Sequence, residues 1–160
     1  MPINIPASPL PSHGRLAAID YGTVRLGVAI TDPDQRLASP LENYTRRSNV
    51  LDAKWLADLT AAERIVGFVI GLPIHTSGNE SQKSTEARKF GQWVVEVTAR
   101  PIAFFDERFT SAHAEALLLD AELTKKQRKE RLDKLAAQIL LAAYLESSRS
   151  PADPGPIDDA

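Results

Sequence analysis

At three places in this chain acidic residues end or interrupt an apolar element. Asp20 closes the run Leu16-Ala17-Ala18-Ile19, and the pair Asp106-Glu107 closes Ile102-Ala103-Phe104-Phe105. Asp133 opens a series at helical spacing with Ala136, Ala137, Leu140 and Tyr144. A carboxylate beside a buried apolar element is costly unless something compensates it. Because strand side chains alternate, only one of Asp106 and Glu107 can serve a given face. Oxygen-only ligand sets suit Mg²⁺ or Mn²⁺. Two such ions about 4 Å apart activate water and stabilise the leaving oxygen in phosphodiester cleavage. The alternative is a set of separate structural ion pairs, with Arg25 or Arg108 as partners, and spacing alone leaves both open.

Other residues carry weaker chemistry. Lys125, Lys126, Arg128, Lys129, Arg131 and Lys134 form a basic cluster just before and around Asp133. Such a patch either contacts phosphates or is a solvated helix face. Arg25 either steadies a phosphate or pairs with Asp20. Arg108 either orients Glu107 or binds substrate. His75, in a polar loop, and His113 read as surface or structural residues, and His13 carries no assignment. Gly22 and Gly27 read as turn glycines, and Trp55 and Trp93 as core rather than base-stacking platforms.

These residues need elements to position them. Arg15 to Tyr21 and Leu26 to Thr31 read as strands joined by a tight turn at Gly22-Thr23. Leu37 to Tyr44 is a third strand, which Pro40 pushes to a sheet edge. Asn49 to Ala62 has helical periodicity through Leu51, Trp55, Leu56 and Leu59. Ile65 to Gly71 is almost wholly apolar, as in a parallel strand buried on both faces. Ser77-Gly78-Asn79-Glu80 fits a capping box for a helix to about Val97. Ile102 to Phe105 is a fifth strand, and Thr110 starts a helix to about Asp120. Thr124-Lys125-Lys126-Gln127 is a second capping box, opening a helix to about Glu146. A meander followed by alternating strands and helices implies an α/β fold, a mixed five-stranded sheet flanked by helices.

Composition bounds the function. The 160 residues fit one domain, 43% hydrophobic and 25% charged. The domain is expected over 15–148, between a flexible Pro-rich arm at 1–14 and a disordered acidic tail at 149–160. No cysteine is present, so disulfides, zinc–thiolate sites and thiol catalysis are excluded. No apolar run approaches the roughly 20 residues of a membrane span, and no signal peptide is read, so the expected location is cytoplasmic, without a membrane partner. The formal net charge is −2, but the tail from Ser150 carries three Asp and no basic residue. Without it the count is 19 basic to 18 acidic.

With these residues in place the chain resembles the YqgF/RuvX family of pre-16S rRNA nucleases and Holliday-junction-resolvase-like proteins. The resemblance covers about Arg15 to Glu146. It rests on Asp20-Tyr21-Gly22-Thr23-Val24-Arg25-Leu26-Gly27-Val28-Ala29, on Ile70-Gly71-Leu72-Pro73 with Gly78, and on Asp106-Glu107-Arg108-Phe109-Thr110 followed by Asp133-Lys134-Leu135-Ala136-Ala137 and Tyr144-Leu145. Val24 departs from the basic residue more usual in the first motif. The resemblance implies a ribonuclease H-like fold and metal ligands at Asp20, Glu107 and Asp133, with Asp106 a weaker candidate. It implies a metal-dependent endonuclease, with Mg²⁺ or Mn²⁺ as a pair of ions. Its substrate would be pre-16S rRNA or branched DNA, contacted through Arg25, Arg108, Lys125, Lys126 and Lys129. Monomer and homodimer stay open. One alternative is a phosphotransferase of the actin-like ATPase superfamily, because Asp20-Tyr21-Gly22-Thr23 resembles its phosphate loop; those proteins use two such domains. Another is a non-catalytic RNA-binding assembly factor, which gains nothing from three carboxylates that repel phosphate.

Overall fold

Five strands form one mixed sheet in the order β3-β2-β1-β4-β5. They are β1 (Arg15–Tyr21), β2 (Arg25–Thr31), β3 (Ala38–Thr45), β4 (Ile65–Leu72) and β5 (Ile102–Asp106). The helices are α1 (Asn49–Ala62), α2 (Gln82–Thr98) and α3 (Lys125–Ser148), with a short 3-10 turn at Glu107–Thr110. The computed structural model describes residues 10–73, 82–110 and 124–148, with backbone alone over 128–134. His75, the box at 77–80, the helix expected after Thr110, His113 and the acidic tail lie outside the described residues.

β1, β2 and β3 run antiparallel, whereas β1–β4 and β4–β5 are parallel. Antiparallel neighbours need only short turns, while parallel ones need a crossover. α2 supplies that crossover between β4 and β5. β3 is an edge strand, as Pro40 requires, and the β2–β3 register shifts between Val28 and Ala29, opposite Glu42 and Pro40.

Alternation along β1 divides the core. Ala17 and Ile19 join Leu26, Phe68, Ile70, Leu56, Phe90 and Val94 on the face covered by α1 and α2. Leu16 and Ala18 join Val69, Ala137, Leu140 and Leu141 on the face covered by α3. By the same alternation Asp20, two residues beyond Ala18, belongs to the α3 face.

Two expectations are corrected. The stripe that α1 buries is Asp52, Leu56 and Thr60, while Leu51 is exposed. The arm, expected to be flexible as far as Gly14, is anchored at its end: Leu10 is buried against the α3-side core. Gly14 there has φ +99°, its N–H donates to Pro33 O at 2.9 Å, and Gln35 Nε2 donates to Pro11 O and Gly14 O. α3 begins as its capping box requires: Thr124 N–H donates to Gln127 Oε1 at 2.9 Å, and Gln127 N–H to Thr124 Oγ1 at 3.1 Å.

Candidate active site

β1, β4 and β5 end side by side, and their carboxyl ends open into a cavity of about 370 Å³. Sites in α/β sheets form at such ends. Asp20, Tyr21, Gly22 and Thr23 line it from β1 and the hairpin, Gly71 and Pro73 from β4, and Glu107 from the end of β5. Lys83, Glu86 and Ala87 close it from α2.

Asp20 and Glu107 are therefore brought together, although β4 lies between their strands. Gly71 makes this possible. A Cβ at that position would stand 2.5 Å from Glu107 Oε2 and 3.2 Å from Leu140 Cδ2, so the carboxylate rests in the space a side chain would fill. Gly27 is not a turn residue. It lies within β2 opposite Asp20, and its added Cβ would meet Asp20 Cβ and Ala137 Cβ at 3.7 and 3.8 Å. Gly22 is the glycine of the turn, where a Cβ would stand 2.6 Å from Arg25 O.

The charge of the site is unbalanced. Burial, then the charges of Asp20 and Asp106, push the Glu107 carboxyl up to about 7, against a smaller opposing pull from Lys83. Two half-buried carboxylates crowded in this way offer hard oxygen donors, which suit a divalent cation. Among the described residues no cluster of three or more acidic, His or Cys side chains is assembled. Position 133 lies on α3 one turn before Ala137, and its side chain is outside the described residues, as are those of Lys129 and its neighbours. Lys125 and Lys126 are exposed on the first turn of α3.

Asp106 takes a different part. Its oxygens accept from Arg108 Nε at 2.8 Å, from Arg108 Nη2 at 2.6 Å and from the Arg108 backbone N–H at 2.9 Å. Hydrogen bonding from Arg108 holds the Asp106 carboxyl below its usual range. Arg108 thus fastens the 3-10 turn to Asp106 rather than gripping Glu107. Arg25 is exposed and makes no ion pair with Asp20 among the described residues. Trp55 stacks on Tyr44 at 3.9 Å and Trp93 packs against Phe90 at 5.4 Å, both beside the core. Lys83 and Glu86 carry no motif in the sequence, and Gly71 stands in one whose pattern does not show the space above it; both become visible only when α2 and β4 meet the strand ends.

The mixed five-stranded sheet flanked by helices is a ribonuclease H-like fold. T. thermophilus RuvC in complex with a Holliday junction substrate shares the fold, with a TM-score of 0.50 at 12% identity over 84% of this chain and 96% of that one. The model of the RuvX family, described as Holliday junction resolvase, matches residues 14–147, and the chain belongs to that family. A Rhodopirellula baltica protein named "Putative pre-16S rRNA nuclease" is 51% identical over 87% of this chain and 80% of its own length. A Koribacter versatilis protein of the same name is 37% identical over 84% of this chain and 88% of its own. No helix among the described residues is long and apolar enough to cross a membrane.

Proposed function

We propose that this protein is a metal-dependent endonuclease that processes the 5′ end of pre-16S rRNA, with residues 15–148 as its nuclease domain and the cytoplasm as its location. The observation that carries this reading is the meeting of Asp20 and Glu107 across Gly71 in one cavity. Asp20, Glu107 and Asp133 would hold a pair of Mg²⁺ or Mn²⁺ ions. When bound, such ions supply an activated water and stabilise the leaving oxygen.

The chain's own residues do the positioning. Gly71 gives the Glu107 carboxylate its place beside Asp20. The Asp106–Arg108 pair stiffens the turn that begins at Glu107. Lys83 puts a cation on the opposite wall, where it lessens the repulsion between the carboxylates and a phosphodiester. Lys125, Lys126 and Lys129, at the start of α3, and Arg25 would contact flanking phosphates.

The family description favours a second substrate, a four-way DNA junction. Cleavage of a pre-16S transcript and of a synthetic junction, each with Mg²⁺, Mn²⁺ and EDTA, separates the two. Metal-dependent cleavage confined to the transcript supports the proposal. Cleavage confined to the junction replaces the substrate, and no cleavage of either ends the nuclease reading.

A further inference from the structure

Outside the cavity, a buried carboxylate organises one corner of the sheet. Asp52 is 2% exposed and sits in the buried stripe of α1. Its Oδ1 accepts from Tyr44 Oη at 2.7 Å and from the Arg47 backbone N–H at 2.9 Å, and its Oδ2 lies 3.6 Å from Arg46 Nε. Arg46 then reaches the hairpin. Its Nη1 donates to Gly22 O at 3.2 Å, its guanidinium lies 5.5 Å from the centre of the Tyr21 ring, and its backbone N–H donates to Val24 O at 2.9 Å. Tyr21 and Gly22 are cavity walls. The segment between β3 and α1 is thereby fixed to the rim of the active site.

Asp52 needs one cation, and Arg46 supplies it. Arg47 and Arg25 remain. Arg25 pairs with Thr45 in the β2–β3 ladder, so it stands beside Arg46 and Arg47 at the same corner. Both Arg25 and Arg47 are exposed and neither makes an ion pair among the described residues. Three guanidinium groups against two carboxylates, the buried Asp52 and the exposed Glu42 held by Trp55 Nε1, leave this corner positive, with the exposed Thr23 and Thr45 beside them. A guanidinium presents a fork of donors that matches phosphate oxygens. Here the Arg46 fork is held in advance by Asp52 and Gly22 O, with Arg25 and Arg47 beside it, next to a cavity whose carboxylates repel phosphate. A fixed positive field at the rim draws a polyanion in and offsets that repulsion.

We propose that Arg25, Arg46 and Arg47 form a phosphodiester-binding corner that holds the nucleic-acid strand on the β2–β3 side of the cavity rim. The assignment rests on the nuclease reading above. It extends the substrate path to a side of the molecule remote in sequence from the α3 lysines, and it gives Asp52 the role of a positioning residue for the corner.

The test is binding of a labelled single-stranded RNA oligonucleotide in EDTA, from about 50 to about 200 mM salt. Arg47→Gln and Arg25→Gln/Arg47→Gln remove exposed cations with no fold partner, so their melting points should match wild type. The log–log slope of affinity against salt should fall by about 0.7 for the single variant and about 1.4 for the double. The weakening should be the same for oligonucleotides of different sequence. If wild type binds with a salt-dependent slope that both variants share, the corner is overturned, and a slope lost only in Lys125→Gln/Lys126→Gln would place the strand on α3 alone. If wild type binds neither this RNA nor a four-way DNA junction, the nuclease reading falls first and the corner with it.

Discussion

Gly71 and Glu107 share one volume: a Cβ on the first would stand 2.5 Å from the Oε2 of the second. The clashing atom is the tip of a flexible side chain, so Gly71→Ala should fold. A strand glycine replaced by alanine even gains about 0.5–1 kcal/mol of backbone entropy, which offsets the tighter contact with Leu140. The carboxylate, however, must move. A misplacement of about 1 Å in a catalytic group costs about a hundredfold in rate. Gly71→Ala should therefore lose about that much cleavage with little change in melting point. Gly27→Ala is the control, since its added methyl meets only ordinary contacts. Equal activity in both variants would show that Glu107 does not need its place over Gly71.

The isosteric variants Asp20→Asn, Glu107→Gln and Asp133→Asn should each abolish metal-dependent cleavage and leave the protein folded. Groups that act as one cage are strongly non-additive. A double variant should thus be little worse than a single. Activity that survives any one substitution removes that residue from the ligand set.

Asp106 gives the opposite expectation. Its oxygens are engaged by Arg108, so Asp106→Asn should retain metal-dependent cleavage. It should lose acid-dependent stability instead. Arg108 holds the folded carboxyl below its unfolded value, so its contribution is present above the unfolded value and fades as pH falls through the folded one. The pair is partly exposed, with Arg108 at 39%, and the effect should be under about 1 kcal/mol. Melting curves between about pH 2 and about pH 6 read it. Cleavage lost in Asp106→Asn would make Asp106 a ligand.

Much of the fold is written in local patterns. β1 and α1 begin and end where periodicity and flanking residues put them, and Gln127 and Thr124 cap α3 reciprocally as their spacing demands. Pro40 alone announces an edge strand. Asp20 is legible because a carboxylate that ends an apolar run is costly to bury unless a cation meets it. Gly71 is legible as part of the motif Ile70-Gly71-Leu72-Pro73, but its role is not, since a missing side chain leaves no trace in a pattern of hydrophobicity. Asp52 is hidden for another reason: an acid in the first turn of a helix usually complements the helix dipole and faces solvent. Its burial needs Tyr44 and Arg46, which arrive from β3 and the segment after it. Lys83 needs the packing of α2 against strand ends far away in sequence. Leu10 escapes notice because four prolines erase the periodicity of the arm.

The last prediction separates a metal centre from a set of structural ion pairs. Glu107 titrates near 7 in the folded chain against 4.5 when unfolded. Between those values the folded state holds a proton that the unfolded state has released. Stability must then fall as pH rises from about 4.5 to about 7, and level off above. The shift sets an upper bound of about 3.4 kcal/mol, less what solvent screening removes from a partly exposed group. In EDTA, Glu107→Gln should flatten this slope and Asp20→Asn should reduce it, so both should be more stable than wild type at about pH 8. A bound ion adds RT ln(1 + [L]/Kd). With an assumed Kd of about 1 mM, about 10 mM Mg²⁺ adds about 1.4 kcal/mol. That raises the melting point of a domain of this size by roughly 3–6 °C. Wild type should show the rise at about pH 8 and lose it progressively below about pH 7, because the ligand must shed its proton to bind. Both variants should lack it throughout. Structural ion pairing requires the reverse: variants destabilised in EDTA, because a cation has lost its partner, and no response to Mg²⁺ in any protein. Melts of three proteins at two pH values, with and without Mg²⁺, give one pattern or the other.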